Sequence, residues 1–241
     1  MKRVIAILLC LCQPSWAAVA KDAIMTGGTT GAGGTGADDY FSGVATVSTT
    51  GMTVGASATC LVVVIEWNAA ITSPSATWNG VSMTLGPTVT SGSSRTTIFY
   101  LPNPATGNKT LVSSWTTIAE GYISSISFTG TDTVTCIKTS DSTTAATGSL
   151  TVTSDANGAT VASYGNDGTG QSPGINNTLV YSDIGGTPNG AAAYTTGGTS
   201  ASYTYTGGTM DQVFAGVHVI APAVSGVICP SISMLGVGCE Q

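Results

Sequence analysis

The sequence predicts an all-β fold, an antiparallel two-sheet sandwich, and three observations lead to it. Short runs of alternating apolar and polar residues recur from Gly43 onward, separated by Gly, Pro, Asn and Ser. No window carries a helical period. Threonine, whose branched Cβ suits a pleated surface, occurs 40 times in 241 residues.

The strands are expected at 43–49, 60–67, 75–85, 95–101, 109–115, 121–130, 149–154, 159–165, 178–184, 191–196, 201–207 and 212–222. Turn signals at this spacing, with no helices between, favour an antiparallel sandwich over a parallel sheet. The 75–85 run is two short arms around Asn79-Gly80, a pair suited to a type I′ turn because both central residues need φ > 0. Tyr122, Ser124, Ile126 and Phe128 line one face of 121–130, with serines on the other. Leu61–Ile65 and Val213–Ile220 are apolar on both faces and should be covered on both sides. The cover could come from the preceding segment, from a long loop or from another subunit.

The stretch FYLPNPATGNKTLVSSW, residues 99–115, reads as a stiff corner. Pro102 supplies no ladder donor and ends its strand. Asn103 is pushed extended by Pro104. Ala105-Thr106-Gly107 completes the reversal, with Gly107 free to take φ > 0.

Residues 1–20, MKRVIAILLCLCQPSWAAVA, have the form of a secretory signal: Lys2 and Arg3, a short apolar run, Pro14, then small residues. Cleavage is expected after Ala17 or Ala20. The apolar run is too short for a bilayer span, which needs ~20 residues. Residues 21–42 are Gly/Thr-rich and aperiodic and read as a flexible lead. The sandwich is expected over 43–222, and 223–241 is a tail.

Removing the signal leaves 4 Lys and Arg against 12 Asp and Glu, a net charge near −8. Nucleic acid and anionic membranes need clustered cations, which four scattered ones do not supply. Charged residues are only 7% of the chain, against roughly 25% in ordinary domains. The surface must therefore be covered by Thr, Ser, Asn and Gly.

Cys60, Cys136, Cys229 and Cys239 remain after the signal, an even number in an exported chain, which points to disulfides. Three connectivities are open. The short C-terminal spacing favours Cys229–Cys239, leaving Cys60–Cys136 by elimination.

The residues suited to chemistry are few. His218, the only histidine, lies inside an apolar strand, and no GxSxG elbow is present. Glu66 beside Trp67 and Glu120 near Trp115 are the acids placed to form a catalytic pair; most others fall at strand ends where solvated acids are expected. The YGNDGTG segment, 164–170, offers Asn166 and Asp167 to calcium, although Asn-Asp-Gly is equally a plain turn. For sugar binding the candidates are Trp67, Trp78 and Trp115 with Tyr164, Tyr181, Tyr194, Tyr203 and Tyr205, of which Tyr203, Tyr205, Tyr194 and Trp115 lead. Tyr203 and Tyr205 share a strand face by period-two spacing and would make a stacking strip.

The order LVVVIEW, ATWNGVSMTL, RTTIFYLPNPATGNKTLVSSW, ISSISFTGTD, HVIAP resembles a widespread β-sandwich, jelly-roll-like domain of secreted bacterial proteins and of phage virion and tail proteins. The likeness covers roughly Gly43–Pro222 and implies a recognition or decoration role at a cell or particle surface. The added cysteines and the tail depart from the usual pattern. The expectation is an exported, non-enzymatic recognition or adhesion module that binds a glycan or cell envelope. The alternative is a structural or decoration protein of a surface layer or virion that binds copies of itself.

Overall fold

The computed structural model describes residues 18–26, 35–36, 38–69, 71–144, 148–166, 176–183, 189–204 and 211–222, which fall within the compact unit Ala17–Pro222. The chain begins with β1 (Ala20–Ile24), β2 (Thr35–Gly36), β3 (Asp38–Thr49), β4 (Thr53–Val54), β5 (Ala58–Trp67) and β6 (Ser75–Trp78). It continues through β7 (Val81–Ser82), β8 (Thr84–Ser91), β9 (Ser94–Pro102), β10 (Gly107–Asn108), β11 (Leu111–Thr129) and β12 (Ile137–Thr144). The last strands are β13 (Ser149–Thr153), β14 (Ala159–Asn166), β15 (Thr178–Asp183), β16 (Asn189–Thr196), β17 (Ser200–Thr204) and β18 (Val213–Val219).

One sheet runs β7-β6-β11-β5-β9-β8, with β1 and β3 on the other edge of β11. The second runs β12-β18-β14-β16-β15-β2, and two small ladders, β4–β10 and β13–β17, complete the set. The strands pair antiparallel throughout, so the all-β sandwich read from the sequence is the fold. In the 19-residue β11, the N-terminal half pairs with β6 and the C-terminal half with β5, and the sheet curls.

This curl explains the strands that are apolar on both faces. Val62 and Val64 of β5 face the core between the two sheets, together with Val213, Ala215, Val217 and Val219 of β18. Leu61, Val63, Ile65 and Trp67 face a second core, closed by Phe41 and Val47 of β3, Trp78 of β6 and Trp115 of β11. On the far side of the second sheet, Leu150, Val152, Ala201 and Tyr203 of the β13–β17 ladder cover Ala162, Tyr164, Ala191 and Phe214. The chain thus covers both strands itself. Val217 and Val219 are fully buried in the inter-sheet core.

Several expectations are corrected. The lead is not structureless throughout: Ala20–Ile24 pairs with β11, and β3 already begins at Asp38. Asp22 fixes β1, because its Oδ2 accepts from Gly55 N at 2.8 Å and from Ser127 Oγ at 2.7 Å. The serine face of β11 is therefore covered, with Ser125 Oγ 2.7 Å from the sulfur of buried Met52. Asn103 is not extended; its φ is +48°, in the left-handed region that Asn tolerates better than most residues. Its amide Nδ2 donates to Thr133 O at 2.7 Å and its backbone N–H to Thr59 O at 2.9 Å. Trp78 Nε1 donates to Ala105 O at 2.7 Å, so the Trp-Asn-Gly hairpin and the Pro-Asn-Pro corner brace one another. Asn79 and Gly80, at φ +50° and +78°, form the expected turn.

The disulfide joins Cys60 of β5 to Cys136, with Cα atoms 5.8 Å apart. Cys229 and Cys239 lie outside the described residues, as does the 223–241 tail. Asp132 shapes the adjoining loop by accepting the N–H groups of Thr135 and Val134, both at 2.8 Å. Those bonds hold its pKa below the ordinary carboxylate value. No helix among the described residues is long and apolar enough to cross a membrane.

Cys60 and Cys136 are 76 positions apart, a long loop whose closure restricts the unfolded chain. Replacing both by Ala is expected to lower the unfolding free energy by about 3–4 kcal/mol in denaturant titrations. An unchanged value would mean that the crosslink adds nothing to stability.

Candidate functional site

The acid at position 66 sits near the end of the apolar run CLVVVIEW, where strand alternation turns it inward with Val62 and Val64. Glu66 is fully buried between the sheets. Its Oε1 accepts from Ser163 Oγ of β14 and its Oε2 from Tyr181 OH of β15. Ser163 has one hydroxyl hydrogen and gives it to Glu66, so the bond between Thr96 Oγ1 of β9 and Ser163 Oγ runs from Thr96. The carboxylate thus ties the second sheet to the first. Gly190 on β16 leaves room for the carboxylate's partner Tyr181, because a Cβ there would lie 2.8 Å from Tyr181 OH.

Glu120 is held differently. Its Oε1 accepts from Ser42 Oγ at 2.5 Å and its Oε2 from Asn68 Nδ2 at 3.3 Å, while its backbone N–H donates to Asn68 Oδ1. The carboxylate bridges β3 and the segment after β5. Both acids singled out from the sequence are therefore cross-links within the frame.

His218 is 2% exposed. Its Nε2 accepts the backbone N–H of Asp155 at 3.1 Å, which places the proton of the neutral ring on Nδ1. Asp155 Oδ2 lies 3.8 Å away and pairs with Lys138 Nζ at 3.4 Å. Burial lowers the pKa of His218 below its ordinary value, against the attraction of Asp155.

The expected stacking strip does not form on an exposed face. Tyr203 of β17 is fully buried where the β13–β17 ladder packs on the second sheet, donates to Thr160 O at 3.1 Å, and shares a second bond with Thr160 Oγ1. Burial pushes its pKa up to about 12, with the hydroxyls of Thr160 and Thr195 opposing the shift. Period-two spacing predicts which face Tyr203 takes; the packing of the β13–β17 ladder against the second sheet makes that face interior. Tyr205 lies outside the described residues. Trp115 is also interior, its Nε1 donating to Val44 O at 3.0 Å and its ring 4.8 Å from that of Phe41. Tyr194 is half-buried, edge-on to Phe128 with ring centres 6.3 Å apart. Asn166 is buried and pairs across the ladder with Asn189, while Asp167 lies outside the described residues. Among the described residues no three His, Cys, Asp or Glu side chains converge as a metal set.

Among the described residues, two open grooves mark the surface. The first, about 370 Å³, follows β3 past Tyr40, Ser42, Thr46 and Ser48. The second, about 290 Å³, lies where β8 of the first sheet meets β12 of the second, lined by Leu85, Gly86, Pro87, Tyr100, Lys138 and Ser140. Sequence reasoning missed both, the second because β12 (IKTSDSTT) has one strongly apolar residue and gives no alternation signal. It also missed Ser163 and Thr96, and read Tyr181 as a sugar-binding candidate rather than a partner of Glu66; the available signal was a single acid inside an apolar run.

No family model, no curated protein and no solved structure matches the chain.

The lowered pKa of His218 has a signed consequence. As pH falls through about 6.5, the unfolded chain takes up a proton that the folded protein refuses, so stability declines until the lower folded pKa is passed. Urea unfolding midpoints are expected to drop between pH 7.5 and pH 5. His218→Gln should flatten the part of that drop nearest pH 6.5. An identical profile in the variant would show that His218 is not held neutral.

Proposed function

We propose that the chain is an exported, non-enzymatic recognition module that binds a glycan or a cell-envelope polymer. The observation that carries this reading is the pair of open grooves, each edged by a half-buried tyrosine and by hydroxyl side chains. Saccharides present C–H faces that stack on aromatic rings and hydroxyls that exchange bonds with Ser, Thr and Lys. Glu66, Glu120 and His218 are meanwhile committed to hydrogen bonds that hold the frame together. The signal-like N-terminus and the Cys60–Cys136 bond support export.

A second reading, assembly into a surface layer or particle, has one observation in its favour. Among the described residues β3 pairs on one side only, with β11, and an edge strand of 12 residues is a place where a second copy can add. Gly43, at φ +66°, interrupts that edge and weakens this reading.

The oxidised protein, incubated with a panel of polysaccharides and cell-wall fractions with and without calcium, is expected to bind at least one saturably while remaining a monomer or small oligomer. Binding that requires calcium would implicate the 164–170 segment. Folded protein that binds nothing in the panel and sediments as a large assembly would overturn recognition in favour of self-assembly.

A further inference from the structure

We infer that the groove between β8, β9 and β12 is a saccharide subsite that takes an uncharged hexopyranose chain against the ring of Tyr100; this deepens, and rests on, the recognition reading above. Both walls of the groove depart from regular pairing. On β8, Gly86 and Pro87 form a bulge, two residues between Leu85↔Phe99 and Thr88↔Thr97 where β9 has one. On β12 the register slips between Ile137↔Val219 and Ser140↔Val217, at Lys138 and Thr139. Bulges re-aim side chains and open a ladder locally, and here two of them border one hollow from different sheets.

The walls are fixed in place. Cys136, bonded to Cys60, immediately precedes the β12 wall, and buried Ile137 anchors it to the inter-sheet core. Tyr100 is held from behind by the same core while its ring remains half-exposed in the groove. Gly86 has no side chain to spare: a Cβ there would meet Ile98 O at 2.9 Å and stand 3.8 Å from the Tyr100 ring.

The chemistry of the lining selects the occupant. Tyr100, Pro87 and the half-exposed Leu85 give a ring face and apolar edge suited to sugar C–H groups, while Ser140 and Lys138 give donors for hydroxyls. Lys138 is already matched by Asp155 at 3.4 Å, so the groove presents no unbalanced cation to attract a uronic or sialic acid. A volume of about 290 Å³ is at the small end for ligand pockets and fits a short stretch of chain rather than a large folded partner.

Titration calorimetry of the full oxidised protein with cellohexaose, chitohexaose and oligogalacturonate tests the assignment. One of the two uncharged hexamers is expected to bind more tightly than the charged one. Tyr100→Ala should weaken binding about tenfold, while Tyr100→Phe retains it. Ser140→Trp, at an exposed position that fills the groove without entering the core, should abolish binding with the melting temperature unchanged. Hexamer binding that survives Ser140→Trp and Tyr100→Ala would refute this site and leave the recognition reading standing. Preference for oligogalacturonate would refute the uncharged class. Wild-type protein that binds none of the three, yet binds a polymer in the wider panel, would refute the subsite alone; failure in both would remove the recognition reading as well.

Discussion

The two sheets are joined across their core by one buried carboxylate. Glu66 receives hydroxyls from Ser163 and Tyr181 of the opposite sheet, and Thr96 of its own sheet completes the chain through Ser163. A buried acid is costly unless its oxygens are occupied, and hydroxyls left behind after its removal would be costly too. The arrangement therefore fixes register as well as spacing, since sliding one sheet past the other would orphan several groups at once. Apolar residues such as Val62, Val161 and Val217 give the same interface its area but would tolerate a slip. Gly190 serves in this frame as space for Tyr181.

With the sandwich fixed in this way, its surfaces are free to vary. Other polar side chains serve as braces. Glu120 bridges Ser42 and Asn68, Asp22 holds β1 to Ser127, and Asn103 reaches the 130–135 loop. Among the described residues what faces solvent is largely neutral hydroxyl, with open grooves at β3 and at the bulged meeting of β8 and β12. A rigid frame carrying shallow grooves of this chemistry suits selective contact with a polymer, since little ordering is required on binding.

Legibility in the sequence varies from residue to residue. β5 and β18 are plain in it, along with their two covered faces, because a continuous apolar run of strand length has to be buried on both sides. The joining of 109–115 and 121–130 into β11 is hidden by Gly121, which looks like a turn residue. It is a point of close approach instead, where a Cβ would overlap Glu66 O and lie 2.8 Å from the Phe41 ring. β1 and β12 leave no signal because they are short or polar edge strands held by partners distant in sequence. The candidate site is the least legible part. Alternation assigns Tyr203 a face without saying that the second sheet covers it, and no local pattern brings Tyr100 beside Lys138. Such juxtapositions come from topology, which single-strand patterns do not encode.

Whether the buried carboxylate locks the two sheets together is best decided by a double-mutant cycle on Glu66→Gln and Ser163→Ala, read as unfolding free energy. If it does, the two losses are not additive, with a coupling of about 1–3 kcal/mol because each group completes the other's bonding. Additive losses would contradict this, leaving the sheets held by apolar packing alone and Glu66 a passenger in the core.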